Sequence, residues 1–235
     1  MMETFDIDER ITNLIRREIE EQTKSIQEAA NELQSWHLST LDAHSFWHIL
    51  VPTAQAFMAQ RGDHRTFSID EDNRDVIRQM WLYVKGDSEC KWDINKGIYL
   101  GGKVGCGKTI LIQSLCHILG KITGYNIEMI SAPQLYKRIV SDGIKSLTRR
   151  PLIIDDIGRE QKEINDFGNK IRPINELISL RYETGARTFF TSNFMISTLA
   201  NGENGYGTYI GDRLEEMVTT VILPGESRRN KQKNE

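Results

Sequence analysis

Gly102, Gly107, Lys108 and Thr109 are spaced as G-x-x-x-x-G-K-[ST], with Gly105 between them. Glycines at this density let the backbone curl so that consecutive N–H groups face inward on an anion, and a following helix adds its positive end. The cradle expected for the phosphates of a nucleoside triphosphate runs from Gly102 through Lys103, Val104, Gly105, Cys106, Gly107, Lys108 and Thr109 to Ile110. Lys108 would bring a cation to the β- and γ-phosphates, and the Thr109 hydroxyl would ligate Mg²⁺. Further along, Leu152-Ile153-Ile154 ends in Asp155 and Asp156. An acid at the tip of a buried strand can share the Mg²⁺, the role expected of Asp155, while Asp156 orients or activates the attacking water. Glu160 rivals Asp156 for that second role, because the aspartate side chain is short. Thr191-Ser192-Asn193 closes another apolar run, and Asn193 could hydrogen-bond the same water. Arg213 could reach the γ-phosphate of a neighbouring subunit; the alternative is a surface arginine paired with Asp212 or Glu216.

These groups need strands and helices to hold them. Ile98 to Leu100 reads as a short strand into the glycine loop, and Thr109 to Leu115 as a helix out of it. Tyr125 to Ile130, Leu152 to Ile154, Thr188 to Thr191 and Thr219 to Leu223 read as further strands. Helices are expected from Ser131-Ala132-Pro133-Gln134 to Gly143, from about Pro173 to Tyr182 and from Tyr209 to Met217. This alternation predicts an α/β domain with a mostly parallel sheet. Ahead of it, Asp6 with Glu9 forms a capping box. Ile7, Ile11, Leu14, Ile15, Ile19, Ile26, Ala29, Ala30 and Leu33 recur at helical spacing over about seven turns. Trp36 to Arg61 predicts one or two more helices interrupted near Pro52, with His44 and His48 four apart on a packing face rather than as metal ligands. Arg61 to Arg65 reads as a linker, and Ser68 with Glu71 as a second capping box, for a helix ending at Gly86. Asn201 to Gly207 is expected to be a mobile, glycine-rich loop, and residues 227–235 a basic, disordered tail.

A formal net charge of −3 gives no global attraction to nucleic acid, so any such contact must be local. Lys137, Arg138, Lys145, Arg149 and Arg150 are the local basic group, equally readable as a solvated face. No apolar run predicts a membrane span, and the acidic N-terminus is unlike a secretory signal. Cys90, Cys106 and Cys116 are an odd number without metal-ligand spacing, which suits a reducing cytoplasm.

Taken together, GGKVGCGKT, LIIDDIG, LRYETGARTFFTSN, YIGDRLEEM and LPGESRR resemble the DnaC/DnaI-type helicase loaders and the similar IstB-type transposition ATPases of the AAA+ superfamily, over about residues 68 to 229. The resemblance implies a five-stranded parallel sheet in the order 5-1-4-3-2 flanked by helices. It further implies ATP and Mg²⁺ between subunits of a homo-oligomer, and spiral assembly on single-stranded DNA. It assigns sensor 1 to Asn193, the arginine finger to Arg213, and a possible second sensor to Arg229. It divides the chain into a helical partner-binding region (1–66), an ATPase domain (67–226) and a basic tail (227–235). No helical lid follows residue 225, which implies that nucleotide is held loosely until subunits assemble. The expected function is loading of a replicative helicase, switched by ATP binding and hydrolysis. The alternatives are an ATPase serving a transposase, or an ATP-switched adaptor with little hydrolysis. A small-molecule kinase would leave Asn193 and Arg213 without a role.

Overall fold

Side chains alternate across a strand with period two, and here the alternation sorts two cores. The computed structural model describes residues 12–26, 28, 36–161, 163–166, 169–201 and 205–228. Its five parallel strands are β1 (Gly97–Gly102), β2 (Glu128–Ser131), β3 (Leu152–Asp155), β6 (Thr188–Ser192) and β7 (Val218–Leu223). The order is β7-β1-β6-β3-β2, with β4 (Ile164–Asp166) and β5 (Asn169–Ile171) forming a separate antiparallel hairpin. Counting only the strands of the sheet, chain order reads 5-1-4-3-2 across it, as the resemblance implies.

Ile98, Leu100, Ile153, Phe189, Val221 and Leu223 face one core, filled by α2 (Ala43–Gln60), α3 (Arg74–Lys85) and α4 (Lys108–Thr123). Tyr99, Leu152, Ile154, Phe190 and Val218 face the other, filled by α5 (Ala132–Asp142), α6 (Pro173–Glu183), α7 (Ile196–Asn201) and α8 (Thr208–Met217). Both faces of each central strand are therefore covered, which is why these strands read as unbroken apolar runs. Residues 12–26 form a separate helix, α1, whose Leu14, Ile15, Ile19 and Ile26 are exposed. Asp6, Glu9, Ile7, Ile11, Ala29, Ala30 and Leu33 lie outside the described residues, as do residues 229–235 of the tail.

Three expectations are corrected. First, of the one or two helices expected there is one, α2, and it runs through Pro52 without the expected interruption. The proline forgoes one backbone bond, but Phe46, Leu50, Ala54 and Met58 continue at four-residue spacing and are buried on both sides of it. Second, the box that opens α3 is Asp70 with Asn73. The Asp70 amide donates to Asn73 Oδ1 at 2.9 Å, and the Asn73 amide donates to Asp70 Oδ1 at 3.3 Å. Third, Tyr206 is buried and its amide donates to the Leu199 carbonyl at 2.7 Å, so the stretch expected to be mobile is anchored at that residue.

The segment read as a linker is a surface turn, and α2 before it and α3 after it pack into one core. Gln55 on α2 brackets it, donating to the Arg65 carbonyl at 2.8 Å and accepting from the Phe67 amide at 2.7 Å. Trp36 and Leu41 are buried in the same cluster as Ile77, Met80 and Leu115. Trp36 stacks on Tyr125, and the Arg187 guanidinium lies 4.4 Å from its ring centre. Residues from Trp36 onward therefore share the core of the sheet.

Candidate nucleotide site

Because the strands are parallel, their C-terminal tips lie along one edge, and the loops that leave them meet there. In the register of the sheet, Leu100 pairs with Thr191, Gly101 with Ser192 and Ile154 with Phe190. The loop after β1, the acids after β3 and Asn193 after β6 are thus neighbours by topology alone.

The loop after β1 curls into α4. Gly105 and Gly107 have φ of 81° and 109°, values that favour glycine. Lys108, the first residue of α4, is 5% exposed. Its Nζ donates to the carbonyls of Gly102 and Lys103 and to Asn193 Oδ1, each at 2.8 Å. Hydrogen bonds to a charged group contribute about 1.5–3 kcal/mol each, which offsets much of the cost of taking the ammonium out of water. The cation is therefore fixed between the loop and the strand tip that carries Asn193. Val104 to Leu111, Asp156 and Asn193 line a cavity of about 580 Å³, and Arg61, Asp63, Phe67 and Asp70 line it too.

The two acids are distinct. Asp155 Oδ1 accepts from the Thr191 hydroxyl at 2.6 Å, and the same hydroxyl oxygen accepts from the Asp156 amide at 2.9 Å. Thr191 thereby ties both acids to β6. Asp156 has φ of 59°, a conformation uncommon outside glycine, which turns its side chain into the cavity beside Arg159, 3.0 Å away. Glu160 is turned elsewhere: it accepts from the Gly158 amide at 2.8 Å and from the Tyr206 hydroxyl, and it does not line the cavity. Burial, followed by the Glu160 carboxylate, pushes the Tyr206 hydroxyl far above its ordinary range, so it serves as a donor to Glu160.

Arg213 is not brought to this cavity. On α8 its guanidinium lies 4.1 Å from the Tyr209 ring centre and 4.9 Å from that of Tyr182. It also donates to the Tyr209 hydroxyl and stands 3.7 Å from Glu183 Oε1. Neither Asp212 nor Glu216, the partners weighed from sequence, holds it in these contacts. His44 and His48 bond each other, Nε2 to Nε2 at 2.9 Å, on an exposed face. Among the described residues, no cluster of three or more His, Cys, Asp or Glu could hold a metal. Mg²⁺ takes few protein oxygens and relies on substrate phosphates. Thr109 and Asp155 supply hard oxygen donors of the right kind.

No protein-family model and no curated protein matches the sequence. Solved structures do match in fold. A protein described as a primosome component from Streptococcus pyogenes serotype M3 aligns over 85% of this chain and 98% of its own, with a TM-score of 0.55 and 20% identity. DnaI aligns over 70% and 88%, with a TM-score of 0.50 and 21% identity. The DnaC helicase loader aligns over 67% and 93%, with a TM-score of 0.50 and 18% identity. The chain therefore shares its fold with DnaI and with the DnaC helicase loader.

Several residues that the sequence did not single out also stand at the cavity. Arg228 donates through Nε to the Cys106 carbonyl at 2.9 Å and grips Asp70 with both terminal nitrogens, one of them at 2.8 Å. Arg65 donates to the Arg228 carbonyl and pairs with Asp63. Apart from the Arg65–Asp63 pair, these contacts join residues distant in sequence; Asp70 and Arg228 are brought together as β7 returns beside β1. Arg229, the residue that the resemblance points to, lies outside the described residues. Elsewhere, Arg181 is fully buried and has no carboxylate partner among the described residues. It is held by Thr188 and by the carbonyls of Leu147, Arg150 and Arg187, and burial lowers its pKa to about 10.

Proposed function

We propose that this chain is an ATPase that loads a replicative helicase, gripping single-stranded DNA in its ATP state and releasing on hydrolysis. The observation that carries the ATPase reading is the 2.8 Å bond between Lys108 Nζ and Asn193 Oδ1 at the mouth of the glycine loop. It brings a fixed cation and a polar strand tip together where a γ-phosphate would end. The loop amides and Lys108 hold the triphosphate, and Asn193 and the Asp156 carboxylate hold the attacking water in line. Mg²⁺, bound by Thr109 and Asp155, would neutralise charge on the phosphates. Arg213 acts on a neighbouring subunit's nucleotide, which agrees with its position away from the cavity of its own chain. The helicase-loading part of the reading draws on the shared fold and on the exposed apolar face of α1, which is suited to a protein partner. Lys137, Lys145, Arg149 and Arg150 are exposed and offer phosphate contacts, whereas Arg138 is paired with Glu128 and Asp142. One observation favours slow turnover by the isolated chain: the Asp156 carboxylate is held by Arg159.

Single-site variants test the catalytic reading. Lys108→Ala should abolish hydrolysis and weaken ATP binding. Asp156→Asn should spare binding but slow turnover by about 10²-fold or more, the scale of a lost general base. Glu160→Gln should stay within about threefold of wild type, because its carboxylate serves Gly158 and Tyr206. Wild-type turnover by Lys108→Ala, or a larger loss from Glu160→Gln than from Asp156→Asn, would contradict the assignment.

A further inference from the structure

An anion nest has a structural consequence on its outer side. If successive N–H groups face the anion, the carbonyls of the same residues face away and need donors of their own. For Gly105 and Cys106, one residue far away in sequence supplies them. The Arg228 amide donates to the Gly105 carbonyl at 3.0 Å and the Arg228 Nε donates to the Cys106 carbonyl at 2.9 Å. Ser227 packs so closely on the loop that a Cβ at Gly105 would lie 2.3 Å from its Oγ. The segment is fixed from the other side as well. Asp70 grips the guanidinium with both carboxylate oxygens, and Asp70 is itself held by the amides of Asp72 and Asn73 at the start of α3. Arg65 donates to the Arg228 carbonyl, and Lys103 pairs with Glu226.

We propose that residues 225–228 form a latch that positions the phosphate loop for nucleotide, with Arg228 as the positioning residue and Asp70 as its anchor. The inference rests on the nucleotide reading above and names what holds that site in shape. Three segments distant in sequence meet at one side chain: the turn before α3, the glycine loop and the exit from β7. A bidentate guanidinium–carboxylate pair fixes direction as well as distance, so Arg228 can present Nε to Cys106 only while Asp70 holds its far end. Loosening the pair lets the Gly105 and Cys106 carbonyls turn, and the N–H groups on their other side lose their aim. The latch acts before chemistry, so its loss should appear in nucleotide affinity.

Full-length Asp70→Asn, Arg228→Gln, Arg228→Lys and the Asp70→Asn/Arg228→Gln double variant test this, with Lys108→Ala alongside. A fluorescent ATP analogue reads Kd, and steady-state hydrolysis reads KM and kcat. Asp70→Asn and Arg228→Gln should each raise Kd and KM about tenfold while kcat at saturation stays within about twofold, the signature of lost positioning. The double variant should be no worse than either single one, because the two side chains act as a unit. Arg228→Lys should fall between, since an ammonium can reach Asp70 or Cys106 but cannot bridge both. Should Arg228→Gln fail to fold, the nearly isosteric Asp70→Asn decides alone. Unchanged Kd and KM in Asp70→Asn, with binding lost in Lys108→Ala, would overturn the latch and leave the nucleotide site standing. Unchanged binding in Lys108→Ala would instead overturn the reading beneath it.

Discussion

Lys108 is an ammonium group almost withdrawn from water, held by two carbonyls and an amide oxygen. That arrangement is legible in the sequence from glycine spacing and from the order of loop, acids and polar strand tip. The choice between Asp156 and Glu160 is not, because it depends on a positive φ at Asp156 and on a tyrosine 46 residues beyond Glu160. Arg228 is hidden for the same reason: its partners are fixed by how β7 and β1 lie together. At this scale His37 offers a pH prediction. Its Nδ1 lies 2.9 Å from the Tyr83 carbonyl, its Nε2 is buried with no hydrogen-bond partner among the described residues, and burial, with Arg187 nearby, lowers its pKa from the ordinary 6.5. The unfolded chain therefore takes the proton first as pH falls. The stability tied to neutral His37 is complete above 6.5 and lost as pH drops toward the folded-state value. The drop in Tm between pH 7.5 and 5.5 should shrink by about 2 °C in His37→Asn, the half-buried site keeping the effect small. An unchanged drop would mean that His37 titrates as it does in the unfolded chain.

Among the elements, the parallel strands and their covering helices are readable because burial on both faces demands unbroken apolar runs. Two features resist such reading. The β4–β5 hairpin has only three residues on each side, too few for a periodic signal. The relation of residues 36–66 to the sheet is set by tertiary contacts, such as those of Gln55 and Trp36, that local composition does not announce. We therefore propose that the boundary that matters for packing lies before Trp36, the first described residue of the shared core. A fragment of residues 36–235 should retain the ATP affinity and Tm of the full chain, while lacking α1 and, on the proposed function, losing capture of the helicase. Removing residues 1–66 should instead strip Phe46, Leu50 and Ala54 from α4 and leave an unstable, aggregating product, as exposure of so much core demands. A stable 67–235 fragment, or helicase capture by 36–235, would count against this division.

For the molecule as a whole, the site within one chain is incomplete as proposed. It has a phosphate cradle, a fixed cation, a water-orienting acid and Asn193, but its Arg213 stands elsewhere, stacked between Tyr182 and Tyr209. An arginine supplied by a neighbour is worth on the order of 10³-fold or more in rate. Specific activity should therefore rise with protein concentration, or on adding single-stranded DNA. Arg213→Ala should stay near the basal rate throughout while binding ATP as wild type does.

The most direct measurement mixes two inactive proteins. Lys108→Ala lacks a working nucleotide site but keeps Arg213, and Arg213→Ala keeps the site but lacks the finger. Steady-state ATP hydrolysis by an equimolar mixture, at a concentration where wild type is assembled, should clearly exceed the sum of the two variants measured separately. The Lys108→Ala subunit would be lending its arginine to the intact site of its neighbour. If the mixture gives no more than that sum while wild-type activity per chain stays independent of concentration and of DNA, catalysis does not pass through a shared site, and Arg213 is a structural arginine held by its two tyrosines.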